Sequence, residues 1–216
     1  MRELPALFST PMVEAILENR KKMTRRTKGL ETVNKNPNDW YFRQWISEVQ
    51  KPISTESDWR LLAEFGNDKL GICGLIKAAY NVGDKIWIRE RFETDTDGTV
   101  KFYAGNIEVK HNAAYRKLTK WKPGIHLFKK DARIWLECTG VRCERLHDIS
   151  EDDAIAEGIK TINSYIFNDT RYKDYANVID CWRSPISSFQ SLWASINGFD
   201  SWDKNPWVFV YEFKKN

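Results

Sequence analysis

LPALFSTPMVEAILENRKKMTRR, Leu4 to Arg26, runs from a short apolar strand through a helix into a burst of positive charge. Leu4, Ala6, Leu7 and Phe8 read as a strand. Ser9-Thr10-Pro11 supplies an N-cap candidate followed by proline at the first helical position, where its missing N–H costs nothing, so a helix is predicted from Pro11. Met12, Ile16 and Asn19, with Val13 and Leu17 beside them, form a core-facing stripe, and Glu14 and Glu18 point outward. From Asn19 to Lys28 the chain carries six Lys or Arg and no acid. Such a patch repels itself unless an anion or acidic side chains answer it. A solvated helix C-terminus, where cations complement the macrodipole, is the plainer explanation of the same run.

The remaining composition narrows the function classes. With 216 residues, 42% of them apolar, and ten Trp, eight Tyr and eleven Phe, there is ample material for a packed core. The net charge is only +4, so nucleic-acid binding has to come from local clusters rather than a bulk basic field. Cys73, Cys138, Cys143 and Cys181 have no paired spacing, and His111, His126 and His147 are scattered singly, so neither a metal site nor a cofactor is legible. No signal-peptide run and no uncharged stretch of about 18 residues is present, which leads to the expectation of a cytoplasmic protein with reduced thiols and no membrane partner.

Along the chain, residues 29–80 read as an insertion holding an aromatic knot at Trp40, Tyr41, Phe42 and Trp45, which either packs on the main domain or stacks on bases. WRLLAEF and LGICGLIKAAY suggest strands or a hairpin. In KIWIRERFE, Ile86, Ile88, Glu90 and Phe92 share one face and Trp87, Arg89 and Arg91 the other. Glu90 therefore lies at an exposed strand end or is buried against a cation. TDTDG is a turn, with TVKFYA as the returning strand. Lys129, Lys130 and Arg133 make a second basic cluster. RIWLECTGVRCERL is a long strand with a bulge or bend expected at Gly140, as suits a small closed barrel. In HDISEDDAIAEGI, Ser150 is the N-cap, Asp153 the capping-box acid and Gly158 the stop. Glu157 sits at the helix C-terminus, where an anion is mildly unfavourable. Residues 160–184 read as a second insertion. PISSFQSLWASING is a helix with Phe189, Leu192, Trp193 and Ile196 on one face, and WVFVYEF is a strand covered on both faces.

The order of these pieces, with K-x-x-T-x-R at Lys21, Thr24 and Arg26, VGDKIWIRE, DISEDDAIAEGI and a terminal WVFVYEF, resembles the ASCH domain of the PUA-like superfamily, and most of all its longer phage-associated members. The resemblance implies one α+β domain over residues 1–216. Its expected architecture is a PUA-like β-barrel, mixed but mostly antiparallel, with flanking helices and the two inserted segments. It further implies a cleft bounded by the first helix and lined by the basic turn, with RNA, a nucleoside or a nucleotide as ligand.

Small bacterial members with the pattern G-R-K-T-x-T-x-R are amidohydrolases acting on N4-acetylcytidine through a lysine, a threonine and a glutamate. The pattern is similar to Asn19 to Arg26 and puts the catalytic positions on Lys21, Thr24 and Glu157. Asn19 stands where those members have glycine, and Lys22 where they have the first threonine. Chemically, a lysine crowded by Arg20, Lys22, Arg25 and Arg26 has its pKa pushed down and can take the threonine proton, and Glu157 can protonate a leaving amine. The same residues, with Arg20, Arg25, Arg26, Arg89 and Glu90, can instead bind RNA or a nucleotide without turnover. A phage accessory module that contacts another protein is a third reading, and the oligomeric state is left open.

Overall fold

In the computed structural model, the described residues are 1–50, 58–106, 120–162 and 169–216. His111 and residues 51–57 of the first inserted segment lie outside them. The fold is α+β and strand-rich, with several mostly antiparallel sheets. Strands β1 (Glu3–Leu7), β2 (Met23–Arg26), β6 (Lys85–Arg89), β9 (Trp135–Arg145) and β13 (Trp207–Lys215) form the central sheet in the order β1-β6-β9-β13-β2. Only β1 and β6 pair in parallel. The described residues form no closed barrel: β1 and β2 are the two edges of an open sheet. The basic segment read as a turn is thus an edge strand, with Thr24 opposite Tyr211 and Arg25 opposite Val210.

Strand β13 is buried on both faces, as its unbroken apolar run requires. Phe209, Tyr211 and Phe213 face one core with Ile86, Ile88 and Leu136, while Val208 and Val210 face another with Leu146, Ile149, Phe189 and Trp193. The first core is closed by a meander of β3 (Tyr41–Gln50), β4 (Asp58–Asn67) and β5 (Ile72–Lys77). Trp45 lies 5.9 Å from Phe209, and Phe65 lies 5.2 Å from Trp207 in an edge-to-face contact. The described residues of the segment 29–80 are therefore not an excursion onto a finished domain but one wall of its main core. Of the aromatic knot, Trp40, Phe42 and Trp45 pack half-buried against this cluster, while Tyr41 is exposed and donates to Asp68 Oδ1 at 2.9 Å.

The second core is closed by helices α2 (Glu151–Ala156) and α3 (Pro185–Asn197), against which a small sheet of β10 (Thr161–Ile162), β11 (Arg171–Lys173) and β12 (Cys181–Trp182) is laid. The turn Asp95–Gly98 joins β7 (Phe92–Thr94) to β8 (Val100–Phe102) as a hairpin. At Gly140 the β9–β13 register shifts, and a side chain there would press on Glu212 Oε2 at 2.8 Å.

Helix α1 (Thr10–Leu17) starts one residue before its proline and buries Val13, Ala15 and Ile16. Asn19 is not on the buried stripe. The helix has ended, and Asn19 is exposed in the left-handed conformation at φ 58°, which asparagine tolerates better than other side chains. No helix among the described residues is long and apolar enough to cross a membrane.

Candidate active site

Two close approaches bring the basic segment to the end of α2. Lys21 forms an isolated antiparallel bridge with Glu157, and Lys22 N–H donates to Ala156 O at 2.7 Å. Gly158 makes this possible: it holds φ +91°, and a Cβ there would lie 2.7 Å from Lys21 Cβ and 2.9 Å from Ala15 Cβ. Ser150 caps α2 by accepting from Asp153 N–H at 3.1 Å. The Asp153 carboxylate is turned to Arg25 and Arg142, so in place of a capping-box acid it is part of an ionic network.

That network answers the basic run. Lys21 Nζ, with its side chain sealed from solvent, donates to Glu157 Oε2 at 2.6 Å and to Glu157 O at 2.9 Å. Arg25, equally buried, reaches Glu144 at 2.7 Å, Asp153 at 2.6 Å and the second oxygen of Glu157 at 3.3 Å. Arg142 joins Glu144, Asp153 and Glu212. Three cations thus meet four carboxylates. Glu157, unfavourable as a helix-end anion, is held there by Lys21 and Arg25. Burial pushes the Lys21 pKa down and Glu157 opposes the shift, with Arg26 and Arg25 adding smaller downward contributions. The crowding expected from Arg20 and Lys22 is absent, since Arg20 pairs with Glu18 and Gly158 O and Lys22 is exposed.

Above the network lies a cleft of about 210 Å³ along the edge strand β2. Thr24 and Glu157 line it, and Arg26 and Lys28 stand on the same lining. Lys21 does not line it but reaches it through Glu157. Among the described residues no hydrogen bond holds the Thr24 hydroxyl. Arg26 lies 4.8 Å from the Phe8 ring and donates to Leu7 O at 3.0 Å. The opposite wall is Phe189, Leu192, Trp193 and Ile196 of α3. Ile196 shares the helix face of Phe189 and Trp193 but is 52% exposed, and it edges the cleft.

Arg89 and Glu90 are not brought to this cleft. Glu90 is buried beneath a bidentate pair with Arg133 at 2.9 and 2.8 Å, its pKa raised by burial against the pull of that arginine. Arg89 lines a separate groove. Sequence reasoning missed Arg142 and Glu144. Their signal was the alternation Arg142-Cys143-Glu144, which puts both charges on the face of β9 that looks toward α2. Among the described residues no three His, Cys, Asp or Glu side chains gather as a metal-ligand set. No protein-family model, curated protein or solved structure matches the chain.

Proposed function

We propose that the cleft receives a nucleoside-sized ligand and hydrolyses an amide on its base, of the kind found in N4-acetylcytidine. The observation that supports this reading is the buried Lys21–Glu157 pair at 2.6 Å beneath a cleft lined by Thr24, assembled from positions 136 residues apart. Because Lys21 and Arg25 already have carboxylate partners, gripping a phosphate is a poor account of them.

In the proposed step, the Thr24 hydroxyl attacks the acyl carbonyl while its proton passes into the Lys21–Glu157 pair through the Glu157 carboxylate, which lines the cleft beside Thr24. The C–N bond then breaks, the departing amine takes a proton from the Lys21–Glu157 pair, and water releases the acyl group from Thr24. The α3 wall supplies an apolar face for the base. The PUA-like assignment belongs to the same proposal. What supports it is the order β1-α1-β2, the bend at Gly140 and the return of the last strand beside β2.

Purified protein given N4-acetylcytidine is expected to release cytidine. Thr24→Ala should lower that rate by at least about 10²-fold while leaving the melting temperature unchanged, and Thr24→Ser should retain part of the rate. No hydrolysis across a set of acylated nucleosides, or a full rate in Thr24→Ala, would end the reading. Binding of RNA or a nucleotide without turnover is the second reading, favoured by Arg26 and Lys28 on the cleft lining.

A further inference from the structure

A second group of cations has no carboxylate partner among the described residues. Between the β7–β8 hairpin and residues 122–131 runs a groove of about 500 Å³, lined by Arg89, Lys122, His126, Phe128, Lys130 and Asp131 among others. It is a built feature. Phe92 and Lys122 exchange two backbone hydrogen bonds at 2.6 and 3.2 Å, Leu127 is buried, and Gly124 packs so closely that a Cβ would lie 2.9 Å from Arg89 O. The Glu90–Arg133 pair braces the chain beside Arg89 but leaves Arg89 itself without a carboxylate.

Arg89 lies over the Trp87 ring at 4.7 Å, and its Nε is buried with no acceptor among the described residues. Such a donor costs free energy until something accepts from it. Lys122 makes only a 3.4 Å contact to Thr94 Oγ1 and a 5.7 Å approach to the Phe92 ring, and Lys130 has no ion pair among the described residues, whereas Lys129 beside it is paired with Glu3. Asp131 is the one carboxylate on the groove lining. Phe128 is 69% exposed, an apolar ring set among cations.

We infer that this groove binds a single-stranded polynucleotide, with Arg89, Lys122 and Lys130 on phosphates and Phe128 stacked on a base. Phosphates answer the open charges of the groove lining, and every base offers a face to an exposed ring. An acidic peptide would meet the charges but leave Phe128 without a planar partner. The site is separate from the cleft and does not rest on amide hydrolysis.

The test is fluorescence anisotropy on the full chain with labelled oligo(U) and oligo(dT) of about twelve nucleotides. Lys122→Glu/Lys130→Glu should weaken binding at least tenfold, and Lys122→Ser/Lys130→Ser should flatten the dependence of log Kd on log salt by about 1.4. Phe128→Ala should weaken it about fivefold or more. Tighter binding of oligo(U) assigns RNA, and equal binding assigns single strands of either kind. The inference falls if the double variants bind like the parent protein, or if a poly-glutamate peptide binds and the oligonucleotides do not. It falls equally if affinity is lost in Arg26→Ser/Lys28→Ser instead, which would put the polyanion at the cleft. All substituted groove side chains are exposed, and unchanged melting temperatures establish that the variants fold. Thr24→Ala should bind oligonucleotide as the parent does, so loss of turnover and loss of this site are read apart.

Discussion

The basic run at Lys21 to Arg26 and the basic groove at Arg89, Lys122 and Lys130 differ in what surrounds each charge. In the first, carboxylates from β9, α2 and β13 come in behind the cations and leave Lys21 and Arg25 sealed and paired. In the second, Glu90 beside Arg89 is taken by Arg133, Asp131 is the one carboxylate on the lining among the described residues, and Arg89, Lys122 and Lys130 have no ion pair there. The denser cluster in sequence is the less cationic surface in space. A buried pair is held by its geometry and is weakly screened, whereas an open cation is held by nothing until a ligand arrives.

The largest effect that separates the two regions is on stability. Arg25→Met leaves Glu144, Asp153 and Glu157 without their shared partner and should cost about 3–5 kcal/mol. In a chain of this size that lowers the melting temperature by about 10 °C. Lys130→Ser should stay within about 0.5 kcal/mol. Thermal melts of the two variants check this, and equal melting points would erase the distinction. Next in size are the two glycines of close approach. Gly158→Ala forces a side chain into the left-handed region and onto Lys21 and Ala15, at a cost of about 3 kcal/mol. Gly124→Ala meets only the strand-end backbone and should cost about 1–3 kcal/mol. Urea denaturation measures both. Oligonucleotide binding should fall in Gly124→Ala and survive in Gly158→Ala.

Much of this was legible from local rules. The Ser150 cap, the hairpin at Asp95–Gly98, the bulge at Gly140 and the doubly covered last strand follow from turn chemistry and apolar period, which act over a few residues. The separation of Arg89 from Lys21 was not legible, because it depends on which strands become neighbours: β9 and β13 lie between β6 and β2 in the five-stranded order. Nor was the role of residues 29–80, whose irregular aromatics show no clean period even though they complete the core on Phe209 and Trp207. Asp153 read as a cap from its spacing, and only the fold shows that Arg25 claims its carboxylate.

Asp174 shows a third way to hold a charge, with no cation partner among the described residues. Burial alone would raise its pKa, but hydrogen bonds from the N–H groups of Ile179, Ala176 and Val178 outweigh that and bring it to about 2. Since the folded value lies below the unfolded 3.8, the stabilisation is present above pH 3.8 and is lost as pH falls toward 2. Asp174→Asn should therefore cost about 1–2 kcal/mol at neutral pH and nearly nothing at pH 2. Chemical denaturation at the two pH values measures it, and a cost that does not change with pH would mean the loop is held by packing rather than by charge.

The smallest expected effect lies at Asn19, which steers the chain from α1 into the cleft. At φ 58° a side chain with a Cβ is strained, and asparagine tolerates that region better than alanine does. Asn19→Ala should therefore cost about 1 kcal/mol, while Asn19→Gly should stay within a few tenths, its easier φ offset by the greater freedom of the unfolded chain. Because Arg20 N–H and Lys21 N–H both donate to Ala15 O directly after this residue, a strained turn also shifts Lys21 relative to Glu157. In Asn19→Ala, cytidine release should fall further than stability does, and in Asn19→Gly both should match the parent. Equal turnover in all three proteins would show that Lys21 is placed by its bridge to Glu157 alone, with the turn contributing nothing to the cleft.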